Sequence, residues 1–525
     1  MGENTNCGDY MKIMRVLWPL FTIILCLHSP CGVYGAAGEG MANGGDWHYI
    51  HDAQGLAALH TGEPGARYAL TADISLAPGW TPIGLDAPFM GVLDGRGHTI
   101  TGISIDTAGN AAGLFARLDG ARVSNLVIAD AQIRIGRDMP GSEATAGILA
   151  GKTEGGDVAA KAEGGEITAG TLAGMAAGSK ISNVTVTNGS ITAHSPGIIG
   201  GVVGIAIDTS FDNTGIDGGA ITGTDIAGGI AGRIEGTGIL YACHSHADIT
   251  GKIAGGFAGQ MQGKPLTANA NHALEIDDCT ATGKVASLEN GVAGGFVGIG
   301  EYVIITDSSA HGSVSGVAGA GGFVGRLSGM SRVLYAYAKG DVTLMAGNSN
   351  AKNRTSPEFG IANAKYTASP ESGIANAKYT ASPGSDIASG FAGGFIGELT
   401  SSACVEFSYS AGMVVAANGC ENTAVGGFVG VISAQGAPNT ITHSLSFAPW
   451  VTGDGYVHRF AGRTEHDGIN GCYAHLGSMV VRGGSIVHVL PNAYGADGAD
   501  MSMAQIEGVT ARLGWRRGVS EPLLK

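Results

Sequence analysis

A Gly-Gly-apolar-apolar-Gly unit recurs along this chain, and its spacing restricts the fold more than any other feature. Full copies include Gly200-Gly201-Val202-Val203-Gly204, Gly255-Gly256-Phe257-Ala258-Gly259 and Gly321-Gly322-Phe323-Val324-Gly325. With the Gly before the apolar pair as marker, copies fall at Gly113, Gly147, Gly174, Gly201, Gly229, Gly256, Gly295, Gly322, Gly394 and Gly427. Four of the nine intervals are 27 residues, one is 28, and the rest are longer. The spacing predicts a unit of 27 residues with insertions, the signature of a stacked repeat.

Each unit carries two further strand signals, such as Ile305-Thr306-Asp307-Ser308-Ser309-Ala310 followed by Gly312-Ser313-Val314-Ser315. Three strands of 4 to 6 residues per unit are too short to build a sandwich or propeller blade within one unit. They suit one coil of a parallel β-helix, in which each strand pairs with its copy in the next coil. At about 4.8 Å per coil, ten to fourteen coils would stack to roughly 50 to 70 Å. Seven repeat glycines, Gly201, Gly229, Gly256, Gly295, Gly322, Gly394 and Gly427, are expected at corners. There they either supply positive φ or permit close packing.

Composition agrees with this reading. Of 525 residues 91 are Gly, yet 44% are apolar and 14% charged, so neither disorder nor long helices fit. Collagen would need Gly at every third position. The formal charge of -15 is opposite to that of a nucleic-acid binder.

Residues 1–35 read as an export signal: Lys12 and Arg15 precede the apolar run from Val16 to Leu27, and Val33 and Gly35 suit a cleavage site. Met11 is an alternative start to Met1. Residues 36–66 are expected to form an N-terminal cap region that includes a helix over 51–60. The β-helix is expected over 67–490, interrupted by a loop at about 346–388 that holds a tandem duplication. Residues 491–525 are expected to form a C-terminal cap with a helix over 503–513. No later stretch is apolar enough for a membrane span, so the expected location is secreted or cell-surface.

Several strings together resemble the GLUG-motif repeat proteins. These are the Gly-Gly-Phe-Val-Gly units, Trp80-Thr81-Pro82-Ile83-Gly84, and the stretch from Phe89 through Asp94-Gly95 to Ile100. The resemblance covers roughly 47–450. It implies an all-β, right-handed parallel β-helix on an exported bacterial protein, of the kind found in adhesin-like proteins and immunoglobulin-A-cleaving metallopeptidases. The peptidase zinc motif His-Glu-x-x-His is absent, and Glu465-His466-Asp467 lacks its second histidine, so that activity is not carried over.

No catalytic, cofactor or metal residues are assigned. Asp277 and Asp278 read as turn residues at a strand end, and Gly97-His98-Thr99 belongs to the repeat rather than to a glycosidase turn. His244 and His246 share one strand face beside Cys243, which reads as a solvated outer face with a metal site as the alternative. Phe257, Phe296, Phe323, Phe395 and Phe428 read as core filling, with sugar stacking as the alternative. Five cysteines follow the signal. Cys243 and Cys279 occupy equivalent coil positions, so they form either a disulfide or a ladder of reduced thiols. The expected role is an adhesin-like or structural scaffold whose partners are host or matrix glycans or proteins. The alternatives are a polysaccharide lyase or hydrolase with a cleft on one face, and a non-catalytic relative of the metallopeptidases.

Overall fold

The computed structural model describes residues 46–107, 111–135, 167–265, 274–345, 390–417, 422–433, 438–502 and 505. The expected signal, the duplicated loop and the expected C-terminal helix lie outside the described residues, the isolated residue 505 apart. Apart from Asp46, every described residue falls in the unit Trp47–Lys525.

This unit is a parallel β-helix. Ten successive strands, from Phe115–Asp119 through Val324–Ser328 to Ala461–Thr464, form one parallel sheet in which each strand pairs with its copy one coil away. The remaining strands build the other faces by the same rule. A typical coil holds five short strands rather than three: Val297–Glu301, Val303–Thr306, Ser309–Ala310, Val314–Gly316 and Gly319–Gly321. The extra breaks fall at residues with left-handed backbone, here Tyr302 (φ 54°) and Asp307 (φ 47°), which end one ladder segment and start the next.

The first pairing lies upstream of residue 67, where Trp47–Ile50 runs parallel to Arg67–Leu70. Between them sits the short helix Ala53–Ala57, whose N-cap Asp52 accepts the Gly55 N–H at 2.8 Å and whose Leu56 is buried. At the other end, Met479–Arg482 turns into an antiparallel hairpin with Ser485–Ile486. Beyond it, Ala499–Met501 adds a last parallel strand beside Tyr473–His475.

One sequence copy is placed differently. Ala173 pairs with both Phe115 and Val203, so Thr171 holds the marker position in its coil and Gly174 matches the Gly that follows the apolar pair. The copy at Gly147 lies outside the described residues. Phe115–Asp119 pairs directly with Ala173–Ala177.

The core explains the repeat. The residue after the marker points inward in every coil: Leu114, Leu172, Val202, Ile230, Phe257, Phe296, Phe323, Phe395, Phe428 and Phe460 are all fully buried. From Phe257 onward the rings form a ladder, with neighbouring centroids 4.6–4.9 Å apart. The backbone is tied at the same points, as Phe296 N–H donates to Phe323 O and Phe323 N–H to Phe395 O, both at 2.8 Å. These five sequence-flagged rings are therefore core and present no face to a sugar.

The repeat glycines are needed for close approach. None of the seven lies at positive φ. A Cβ on Gly295 would run into the carbonyl oxygen of Gly322, one on Gly322 into that of Gly394, and one on Gly394 into that of Gly427. The left-handed corners are held by other residues: Asn125, Asn183, Asn213, Ala242, Asp278, Asp307, Tyr335, Phe407 and His443, with φ between 45° and 54°. Asn and Asp tolerate this region better than other non-Gly residues. Their side chains also stack, as Asn213 donates to Asn183 at 2.9 Å, Asn183 to Asn125 at 3.2 Å and Asn125 to Asp94 at 3.0 Å.

Candidate functional site

Each left-handed corner places its next residue inside the coil, and a column of small polar groups results. Thr214, Cys243, Cys279, Ser308, Ser408, Ser444 and Cys472 each turn their oxygen or sulfur onto the carbonyl two residues earlier, at 2.7–3.6 Å. In Cys279, Ser308, Ser408 and Ser444 the same atom also accepts an N–H from the coil before, as with Cys243 N–H to Cys279 Sγ at 3.4 Å and Cys279 N–H to Ser308 Oγ at 3.2 Å. Cys243 and Cys279 are thus adjacent but both free. Their sulfurs point the same way, each toward its own coil's carbonyl, so the candidate disulfide is not formed. Burial and the neighbouring Cys243 push the Cys279 thiol up, and burial pushes Cys472 up to about 12, so both stay protonated and unreactive near neutral pH.

A substitution pair tests this column. Cys279→Ser should be nearly neutral, since Ser fills the same place in three other coils. Cys279→Val should cost about 1–3 kcal/mol, because it leaves the Cys243 N–H without an acceptor. Equal denaturation midpoints for the two variants would rule out the ladder role.

On the outside, the corner of one coil gathers titratable groups that the sequence showed only in part. Gly215 pairs with His244 and Ile216 with Ser245, so Asp217 stands beside His246 in the adjacent coil. The His246 N–H donates to Ile216 O at 2.8 Å, which locks this register. Asp217 Oδ1 lies 2.8 Å from His246 Nδ1 and 3.2 Å from His244 Nε2, and the two imidazoles are 5.1 Å apart, tilted by 35°. The His244 side chain is 28% exposed, against 47% for Asp217 and 44% for His246. Burial holds His244 below the usual imidazole range, opposed by the Asp217 carboxylate. Cys243, inside the coil, takes no part. Sequence reading found both histidines and missed Asp217, because a residue a whole coil away becomes a neighbour only through register.

The other flagged residues stay apart from this corner. Asp278 is a left-handed corner residue whose carboxyl is raised by burial and by Asp277, and Asp277 accepts the Thr306 hydroxyl at 2.9 Å. His98 faces Asp73 at 3.2 Å, and His466 Nε2 lies 3.4 Å from the Asn439 N–H.

A second outer feature is aromatic. Tyr335, Phe407 and His443, all at left-handed corners, stack in register with centroids 5.3 Å apart and interplanar angles of 8° and 16°. Two residues further along each strand, Tyr337 and Tyr409 stack at 4.9 Å, with His311 below and Phe447 meeting Tyr409 edge-on. Tyr409, Phe447 and the middle ring Phe407 are buried, whereas Tyr335 is half-buried and His443 exposed.

No protein-family model matches the chain. Over 104 residues, 17% of this chain, it is 36% identical to halomucin of Haloquadratum walsbyi, and it spans about 1% of that protein's length. A solved structure from Bacteroides ovatus, provisionally described as an immunoglobulin A1 protease, aligns over 89% of this chain and 87% of its own. Its sequence identity is 13% and its TM-score 0.28.

Proposed function

We propose that this chain is an exported, adhesin-like binding scaffold of the GLUG-motif kind, displayed extracellularly or at a cell surface, that engages glycans or proteins through repeated contacts on its outer faces. The observation that carries this reading is the aromatic ladder Tyr335, Phe407 and His443, in which half-buried Tyr335 and exposed His443 reach the surface on either side of buried Phe407. The parallel register that stacks phenylalanines inside also stacks flat rings outside, a coil apart. Flat rings at a fixed repeat suit a repeating ligand bound by many weak contacts, where linked sites raise overall affinity. The partial likeness to a protein named halomucin agrees with an extracellular setting. Among the described residues, no helix is long and apolar enough to cross a membrane.

A glycan and host-protein binding array on the chain, with reducing-sugar release measured in parallel, tests the reading. Binding that weakens at least about tenfold in Tyr335→Ala with His443→Ala, without sugar release, is the expected result. Sugar release would favour the lyase or hydrolase alternative, and absence of binding across the array would remove the scaffold reading.

A further inference from the structure

We propose that Asp217, His244 and His246 form a divalent transition-metal site on the outer face of the β-helix, with Zn²⁺ as its natural class of ligand. The inference stands apart from the binding-scaffold reading and rests on three features of this corner.

The first is donor geometry. Asp217 Oδ1, one nitrogen of His244 and one of His246 all lie within 4.8 Å of one another. A tetrahedral Zn²⁺ with bonds of about 2.0–2.2 Å holds its ligand atoms about 3.4 Å apart. The two edges that meet at Asp217, 3.2 Å and 2.8 Å, are already near that length. Small rotations about the side-chain bonds then bring the imidazole nitrogens onto a common centre.

The second feature is a space made for one ligand. Gly215 is the direct pairing partner of His244, and a Cβ on Gly215 would overlap the His244 ring at Cε1, Nε2 and Cδ2. The imidazole lies against bare backbone, which turns Nε2 toward Asp217. At the equivalent positions of the flanking coils stand Thr185 and Thr280, so the Gly-and-His pairing is particular to this corner.

The third is chemistry. Two imidazoles with one carboxylate favour Zn²⁺ and its neighbours Cu²⁺, Ni²⁺ and Fe²⁺, whereas Ca²⁺ and Mg²⁺ seek oxygen-only sets. Three protein ligands on a half-exposed face leave a further position open to water or to a donor from another molecule. Binding requires His244 Nε2 and His246 Nδ1 to offer lone pairs, so each ring carries its proton on the opposite nitrogen, and the hydrogen bonds to Asp217 are exchanged for metal bonds.

The test uses the metal-stripped full chain, titrated with Zn²⁺ in competition with a chromophoric chelator, alongside Co²⁺ absorbance and thermal melts with and without Zn²⁺. The expected result is one Zn²⁺ per chain at micromolar affinity or tighter and a tetrahedral Co²⁺ spectrum. Asp217→Asn and His246→Ala should each weaken binding by about tenfold or more. Melts without metal should stay unchanged in both variants, since both side chains are on the surface. His98→Ala, which removes an imidazole paired with a different aspartate, should leave binding intact. Gly215→Ala should also weaken binding by displacing the His244 ring, and where it fails to fold the Asp217 and His246 variants decide. Absence of stoichiometric Zn²⁺ binding, affinity unchanged in Asp217→Asn and His246→Ala, or equal loss in His98→Ala would each overturn the proposal.

Discussion

Phe323→Ala is expected to destabilise the β-helix by about 3–5 kcal/mol, the range for truncating a fully buried aromatic ring. Phe323 has no exposed surface and stacks between Phe296 at 4.8 Å and Phe395 at 4.9 Å, so the deletion opens a gap in the middle of the ladder. The consequence should be uneven along the molecule. Each coil touches only its neighbours, so stability is close to a sum of coil and interface terms, and a weak interface uncouples the two sides. Denaturant unfolding should then separate into two transitions with smaller slopes, because each exposes less surface. Phe323→Ile should be milder, as Ile230 fills the same position in another coil. A loss below about 1 kcal/mol with one unchanged transition would mean that the ladder does not hold the coils together.

Arg459→Ala is expected to loosen the C-terminal end, and its origin lies in the glycine column. The unit His458-Arg459-Phe460-Ala461-Gly462 is the last copy of the repeat, with Arg where every full copy upstream has the marker Gly. Upstream, a Cβ at this position would strike the carbonyl of the next coil, and at the last coil there is none to strike. The Arg459 side chain is 1% exposed, and it donates to Asp497 O at 3.1 Å, Gly498 O at 3.2 Å and Asp500 Oδ1 at 2.7 Å. It thereby ties the final segment over the open end of the stack. Removing it leaves these acceptors unpaired at a cost of about 3 kcal/mol, toward the lower end for a buried pair because Asp500 is partly exposed. Arg459→Lys should not restore the loss, since an ammonium cannot span three acceptors as a guanidinium does. Hydrogen exchange should show faster opening over 456–501 and little change before residue 400. Uniform acceleration along the chain would refute the capping role.

The same end should be acid-sensitive. Burial raises the Asp497 carboxyl, but the His458 ring and the N–H groups of Leu490 and Arg459 outweigh it and hold the group below the usual carboxylate range. A depressed folded-state pKa adds stability that is fully present above the unfolded value of about 3.9 and is lost as pH falls through the folded value. Proteolysis of the C-terminal coils should therefore speed up below about pH 4, and Asp497→Asn should remove that dependence. A pH profile identical in Asp497→Asn would exclude this carboxylate as the source.

The architecture was legible because a repeat writes the same physical demand many times. Glycine at the marker, an apolar residue after it and a polar corner recur wherever a coil meets the next. The copy at Gly174 shows the limit. Gly174 mimics the marker three residues out of place, and only the pairing of Ala173 with Phe115 and Val203 shows it. The reason for the glycines was also undecided in sequence, since a turn and a close approach require the same residue. Backbone geometry separates them: the seven repeat glycines sit where coils touch and none has positive φ, while the left-handed corners of the polar column are held by Asn, Asp, Ala, Tyr, Phe or His and, before Cys472, by Gly471.

By itself, the sequence determined the solenoid, its period and its core columns, because these depend on residues within one unit and on its repetition. Tertiary structure alone decided what meets across coils: Asp217 with His246, Cys243 beside Cys279 as free thiols, the outer ring ladder, and Arg459 over the last coil. Those contacts join residues tens of positions apart through a register that insertions of variable length shift from coil to coil. A difference of one residue in that register would turn an outer side chain inward, so chemistry between coils becomes visible only once the strands are paired.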